Sequence, residues 1–425
     1  MIYSRLMKKI NVSALIFLIL TLANSATAQV NQGMSLDRLN RIDKVMQDYI
    51  DQDQLSGNVI YIARNGESVY HKALGQRDVA ANDNMERSDI FRIASQSKAI
   101  TSVGIMILQE RGQLLINDPV GKYLPEYMNT TVAEDDGNGG YTVVPAKRSI
   151  TIRDLLTHTA GISYGNGPGE QAWLDSGIYG WYAAERSEPI RETVRRMADL
   201  PQAAHPGEKF VYGYNTDILG AVIEIVSGEQ LDQFLKDNIL DPLTMNDTSF
   251  FVPEEKRDRI ATVYSLKGDK ITLADNPGML EGVSHVGQGH YIDGPRQSFA
   301  GGAGLTSTAE DYGKFLQMIL NGGVLNDVRI LSRKSVELMT TNHLGDIPYG
   351  AGLGFGLGFE IITDLGKYGK PGSQNAYGWG GAYHSVYWID PKENLVVVYL
   401  TQLIPAGGLD DQNKLRALVY QAIVD

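Results

Sequence analysis

Ser95-Gln96-Ser97-Lys98 sets a hydroxyl and an amine three residues apart. On a helix that spacing puts both on one face, where the amine can take the serine proton. Ser95 stands just before an apolar stretch that runs from Gln96 to Glu110 and closes at Gly112, so it reads as a helix start. Free N–H groups and the positive end of the helix dipole favour an alkoxide there. The same field, with partial burial, is expected to lower the Lys98 pKa so that a neutral amine can act as the base. Alone the pattern carries little weight. Serine and lysine are common enough in this chain to give about one such match by chance, and Ser95 could equally be a plain N-cap.

Other candidates are weaker. Gly161-Ile162-Ser163-Tyr164-Gly165 matches the Gly-x-Ser-x-Gly nucleophile elbow, but that elbow must join a strand to a helix. The segment before it, Ile152 to His158, reads as a helix, so Ser163 is expected in a turn. The seven histidines form no His-Glu-x-x-His and join no close carboxylate cluster, which argues against a zinc hydrolase. His158 is expected to pack or to bond backbone; His285 and His290 lie in a Gly-rich loop that could border a pocket. Gly352 to Gly358 lacks the helix that a phosphate loop needs. No metal and no cofactor is called for.

The elements that must position Ser95 follow from periodicity. Leu36, Leu39, Ile42, Val45, Met46, Tyr49 and Ile50 recur at helical spacing. Strands at 58–64 and 68–74 flank Asn65-Gly66, a strong hairpin signal. The middle of the chain reads as mostly helical, with helices at 152–157, 190–198, 216–226 and 231–239 and long loops between them. Its aromatic stretch, Trp173, Tyr179, Trp181 and Tyr182, suits either core packing or a pocket wall. Beyond 300 a helix at 309–320 precedes strands at 383–389 and 395–401 and a closing helix at 409–424. The expected fold is α/β of the α+β type, an antiparallel sheet flanked by N- and C-terminal helices. The sheet domain takes 29–112 and 286–425, and a helical domain, 113–285, is inserted between them.

The chain has 425 residues, 43% of them hydrophobic and 21% charged, enough for a sizeable core. It has no cysteine, which excludes disulfides, thiolate metal sites and a cysteine nucleophile. Arg5, Lys8 and Lys9, then the apolar run Ser13 to Ala23, then Ala26-Thr27-Ala28 have the layout of a secretory signal peptide over residues 1–28. The run is shorter than the ~20 residues that span a bilayer, so stable membrane insertion after cleavage is not expected. Cleavage would remove three cations and no acid, taking the formal charge from -12 to -15. So acidic a chain is repelled by nucleic acid. The expected location is exported, periplasmic or secreted.

Motif order raises the Ser95 pattern above chance. Phe91 to Lys98 is followed by Pro206-Gly207-Glu208-Lys209-Phe210-Val211-Tyr212, by Asp217-Ile218-Leu219-Gly220, and by Tyr377-Gly378-Trp379-Gly380-Gly381-Ala382. Asp118-Pro119, the run Leu155 to Gly161, Gly301 to Leu305 and Trp388 to Pro391 fall in the same order. This sequence resembles the class C β-lactamases, the low-molecular-mass penicillin-binding proteins and, most closely, the family VIII carboxylesterases. The resemblance implies Ser95 as acylated nucleophile, Lys98 as its base and Tyr212 as a proton shuttle whose pKa a nearby ammonium lowers. It further implies Trp379, Gly380 and Gly381 as the strand motif beside the substrate, and the N–H groups of Ser95 and Ala382 as the oxyanion hole. Two departures stand out. The residue two after Tyr212 is Tyr214, where the lactamases have asparagine; Asn215 comes one later, which puts the lysine-holding amide in doubt. Neutral Trp379 replaces the Lys or His that helps hold a substrate carboxylate, and Trp there is what the esterase branch shows. The implied substrate is a small-molecule ester or amide, with uncharged esters favoured. The rivals are a β-lactamase, a D-amino-acid peptidase or an acyltransferase on the same site, and a non-catalytic penicillin-binding-like sensor.

Overall fold

A computed structural model describes residues 30–274 and 289–425. The expected signal segment and His285 lie outside them. The largest sheet has eight strands: β1 (Gly57–Arg64), β2 (Glu67–Asp78), β3 (Asp83–Asn84), β4 (Leu353–Phe355), β5 (Glu360–Ile362), β6 (Tyr377–Gly381), β7 (Ser385–Asp390) and β8 (Leu395–Leu400). Their order is β4-β5-β6-β7-β8-β1-β2-β3, and every pair is antiparallel. The two ends of the chain thus meet at β8 and β1, where Leu395 lies opposite Arg64. Asn65 and Gly66 both take positive φ, the geometry of the expected tight hairpin.

β8 shows why this sheet is central. All six of its residues are buried. Val396, Val398 and Leu400 enter the larger core, while Leu395, Val397 and Tyr399 enter a second core on the other face. A strand buried on both faces reads as a continuous apolar run rather than an alternating one. The second core is closed by helices α1 (Arg41–Asp51) and α6 (Asp411–Tyr420), from the two ends of the chain. The larger core is built on α2 (Ser97–Glu110) and α5 (Ala309–Leu320). The expected α+β architecture, an antiparallel sheet with terminal helices on one side, is what the chain adopts.

α2 is buried on all sides from Ser97 to Leu108. A helix with no wet face is a core helix, and its first turn carries Lys98 inside. The middle segment supplies α3 (Ile152–Leu156) and α4 (Asn215–Ser227). Thr151 and Asp154 form a reciprocal capping box at α3. α4 packs on α2. The middle segment also carries two hairpins that periodicity did not show, Thr131–Asp135 with Tyr141–Pro145 and Tyr264–Lys267 with Lys270–Leu273. Among the described residues no helix is long and apolar enough to cross a membrane.

Candidate active site

Ser95 does not open α2 as the sequence suggests. It sits in a one-turn 3-10 helix, Ala94–Gln96, immediately before the α-helix begins at Ser97. The preceding residue, Ala94, has φ of +44°, a conformation alanine rarely adopts. The turn is held from outside: Ile93 N–H donates to Leu305 O at 3.1 Å, and Tyr312 Oη donates to Gln96 O at 2.8 Å.

Lys98 is 2% exposed, so its ammonium must be satisfied by protein groups. Nζ lies 3.3 Å from Ser95 Oγ, 2.9 Å from Tyr164 Oη and 2.7 Å from Gly302 O. It also stands over the ring of Tyr212, 4.6 Å from the centroid. The expected pair therefore meets, one turn apart. Tyr212 joins it through its ring face, while its hydroxyl accepts a hydrogen bond from Trp379 Nε1 at 3.2 Å.

Tyr164 is the residue the sequence reading missed. It lies inside the Gly-x-Ser-x-Gly match, whose Ser163 the sequence places in a turn. The structure bears that out for Ser163: its Oγ donates to Asn166 O at 2.7 Å and accepts from Gly165 N. Its neighbour Tyr164 instead points at the lysine. Gly213 explains how the loops of Tyr164 and Tyr212 come so close. A Cβ there would lie 2.4 Å from Ile162 O and 2.5 Å from Ser163 Cα. Burial, then the neighbouring Tyr212, pushes the Tyr164 phenol far above its ordinary pKa. It is a neutral hydroxyl, able to accept from Lys98 and to donate onward.

The departures noted in the sequence find their physical outcome here. Asn215 Nδ2 contacts His158 Nδ1, Ile162 O and Val211 O, so it ties the surrounding loops together. Tyr214 donates to Gly180 O and stacks on Trp173. The contact that an amide could have made with the lysine is made by Tyr164. His158 is buried among Phe210, Tyr212 and Phe355, and desolvation, then Lys98, keeps its imidazole neutral. That is the packing role expected of it.

Ser95, Tyr212, Trp379, Gly380, Gly381 and Ala382 all line one cleft of about 600 Å³, together with Tyr164 and Trp181. β6 pairs with β5 only at Tyr377 and Gly378, so among the described residues the edge beside the cleft, Trp379 to Gly381, has no strand partner on that side. β6 also runs against the Ser95 turn: a Cβ on Gly381 would sit 2.5 Å from Ile93 O. The aromatic stretch divides as both readings allowed. Trp181 faces the cleft, whereas Trp173 is buried and donates to Pro201 O. His290 contacts Tyr182 Oη through Nδ1 at 3.2 Å.

The beta-lactamase family profile matches residues 42–421. Protein Rv1367c of Mycobacterium tuberculosis is 32% identical over 380 residues, covering 85% of this chain and 89% of that one. Esterase EstB of Burkholderia gladioli is 28% identical over 383 residues, covering 86% and 91%. Among solved structures, EstCE1, described as a hydrolase with promiscuous acyltransferase activity, superimposes with a TM-score of 0.79 at 28% identity, covering 91% of this chain and 99% of that one. With a match spanning nearly the whole chain and relatives that are serine hydrolases, the protein belongs to the β-lactamase family and is an enzyme of the serine hydrolase class.

Proposed function

We propose that the protein hydrolyses uncharged carboxylic esters through an acyl-enzyme on Ser95. The observation that carries this is the buried Lys98 ammonium, 3.3 Å from Ser95 Oγ at the base of the cleft. In the reacting state Lys98 is neutral. Ser95 Oγ attacks the ester carbonyl carbon while its proton passes to Lys98 Nζ. The N–H groups of Ser95 and Ala382 hold the resulting oxyanion; one such donor is typically worth on the order of 10²–10³ in rate. The C–O bond to the alcohol then breaks, and the alcohol leaves with a proton relayed from Lys98 through Tyr212. Water repeats the sequence in reverse order of roles and frees the acid.

Trp379 supports the choice of ester. Its indole is neutral and spends its N–H on Tyr212, leaving no cation at the position where relatives of the lactamase kind hold a carboxylate. EstB, an esterase, is the relative whose activity fits this best. An alcohol in place of water would make the same acyl-enzyme a transferase, a second outcome favoured by the description of EstCE1. Ser95→Ala is expected to abolish hydrolysis of a short-chain nitrophenyl ester. A chromogenic cephalosporin turned over as fast as that ester would overturn the role given to Trp379.

The N-terminal charge, apolar run and Ala26-Thr27-Ala28 support export, with the enzyme acting in the periplasm or outside the cell. A mature protein from a secreting host that begins at Gln29 agrees with this; one that keeps Met1 does not.

A further inference from the structure

Asp217 is fully buried near the N-terminus of α4, with 4% of its surface exposed, and the chemistry described above does not use it. Its Oδ1 accepts the N–H of Gly302 at 3.0 Å. The carbonyl of that same glycine accepts from Lys98 Nζ at 2.7 Å, the shortest contact the lysine makes. Gly301 O is held by Thr101 Oγ1 from α2 at 2.9 Å. The turn at Gly301 and Gly302 is thus clamped between two helices, α2 supplying Lys98 and Thr101, and α4 supplying Asp217. Residue 302 must be glycine for the carboxylate to come this near: a Cβ there would lie 2.5 Å from Asp217 Oδ2. This gives a use to Gly301 to Leu305, a motif that the proposed reaction leaves without a role.

We infer that Asp217 is a positioning residue for the base: it aims the Gly302 carbonyl at Lys98 and supplies the buried negative charge that balances the ammonium. The inference rests on the reading of Lys98 as the proton acceptor of Ser95. Ser95, Tyr164 and Tyr212 contact Lys98, and His158 and Asp217 are near enough to interact with it electrostatically. His158 and Tyr164 are held neutral by burial. The charged and titratable groups near enough to act on Asp217 electrostatically are Lys98, Arg186, Tyr164 and Tyr214. Burial raises the Asp217 carboxyl, and Lys98 acts against that rise. Lys98 therefore favours the charged form of the Asp217 carboxyl.

The sign of the effect follows. Removing the negative charge makes the ammonium costlier, so Lys98 gives up its proton at lower pH. The base is then neutral, and the enzyme active, further into acid. Asp217→Asn keeps an oxygen for the Gly302 N–H and removes only the charge. Its acid limb in kcat/KM for a nitrophenyl ester is expected to move down by about one pH unit, the low end of the range by which a nearby opposite charge shifts a pKa. Asp217→Ala removes the acceptor as well and should lose at least tenfold in plateau rate. The rate of fluorophosphonate labelling across pH, with melting temperature as the check on folding, reads the same limb without substrate turnover. A folded Asp217→Asn enzyme whose pH profile overlays wild type overturns the inference. If Ser95→Ala or Lys98→Ala retains full activity, the underlying reaction is wrong instead, and the two failures are distinguishable.

Discussion

Tyr164→Phe isolates the contribution of the one residue that geometry added to the site. Lys98 Nζ has three hydrogen-bond partners, at 2.7, 2.9 and 3.3 Å, and the substitution removes the middle one. What remains is a short bond to Gly302 O and a long one to Ser95 Oγ. The phenyl ring keeps its edge contacts, at 5.7 Å to Tyr212 and 4.9 Å to Tyr214, so packing changes little. A hydrogen bond to a charged group is worth about 1.5–3 kcal/mol. If that bond is made in the transition state, when Nζ carries the serine proton, its loss slows acylation by roughly 10- to 150-fold. The assay is kcat/KM on a nitrophenyl ester together with the rate of fluorophosphonate labelling, since both report acylation. The melting temperature should stay near wild type. Acylation within twofold of wild type in the folded variant would refute the reasoning and reduce Tyr164 to a packing residue.

Other expectations follow from the same geometry. Trp379→Phe loses the neutral bond to Tyr212 Oη but keeps an aromatic ring beside Phe355, so kcat/KM should fall by roughly 2- to 10-fold. Gly381→Val forces a side chain against Ile93 O, which is backbone and cannot swing away; a folded variant should lose at least a hundredfold in acylation rate, measured by probe labelling. Asp118 accepts hydrogen bonds from Tyr123 and Lys122, which hold its carboxyl down to about 2. Its folded pKa lies below its unfolded one, so its contribution is complete above pH 4 and lost as pH falls towards 2. Asp118→Asn should melt earlier than wild type at pH 7, and the gap should close at pH 2 in thermal scans.

Local patterns carried most of the fold. Asn65-Gly66 fixed a hairpin, and the apolar spacing of 309–320 and the run from Leu395 to Leu400 became a helix and a strand at nearly those bounds. The two hairpins of the middle segment were missed because their strands are short and their apolar residues do not mark a buried face: Val143 and Leu273 are exposed. In the site, one helical turn brings Ser95 and Lys98 together, but that spacing alone matched chance, and motif order made the pair legible. Tyr212 and Trp379 were legible only through motif order, since they are 167 residues apart and meet by tertiary packing. Tyr164 reaches Lys98 across 66 residues and carried no spacing signal. The glycines around it marked a loop, and the displaced asparagine at 215 put the lysine-holding amide in doubt without showing what would meet the lysine instead. Asp217 stands within the motif Asp217-Ile218-Leu219-Gly220, but nothing in its neighbours says that it bonds Gly302.

The central claim is that Ser95 is the nucleophile, and one labelling experiment tests it directly. The purified enzyme is treated with a fluorophosphonate, digested, and the modified serine located by peptide mass mapping. The account predicts a single adduct on Ser95, none on Ser163, and no labelling of Ser95→Ala. An adduct on Ser163, or undiminished labelling of Ser95→Ala, would contradict it.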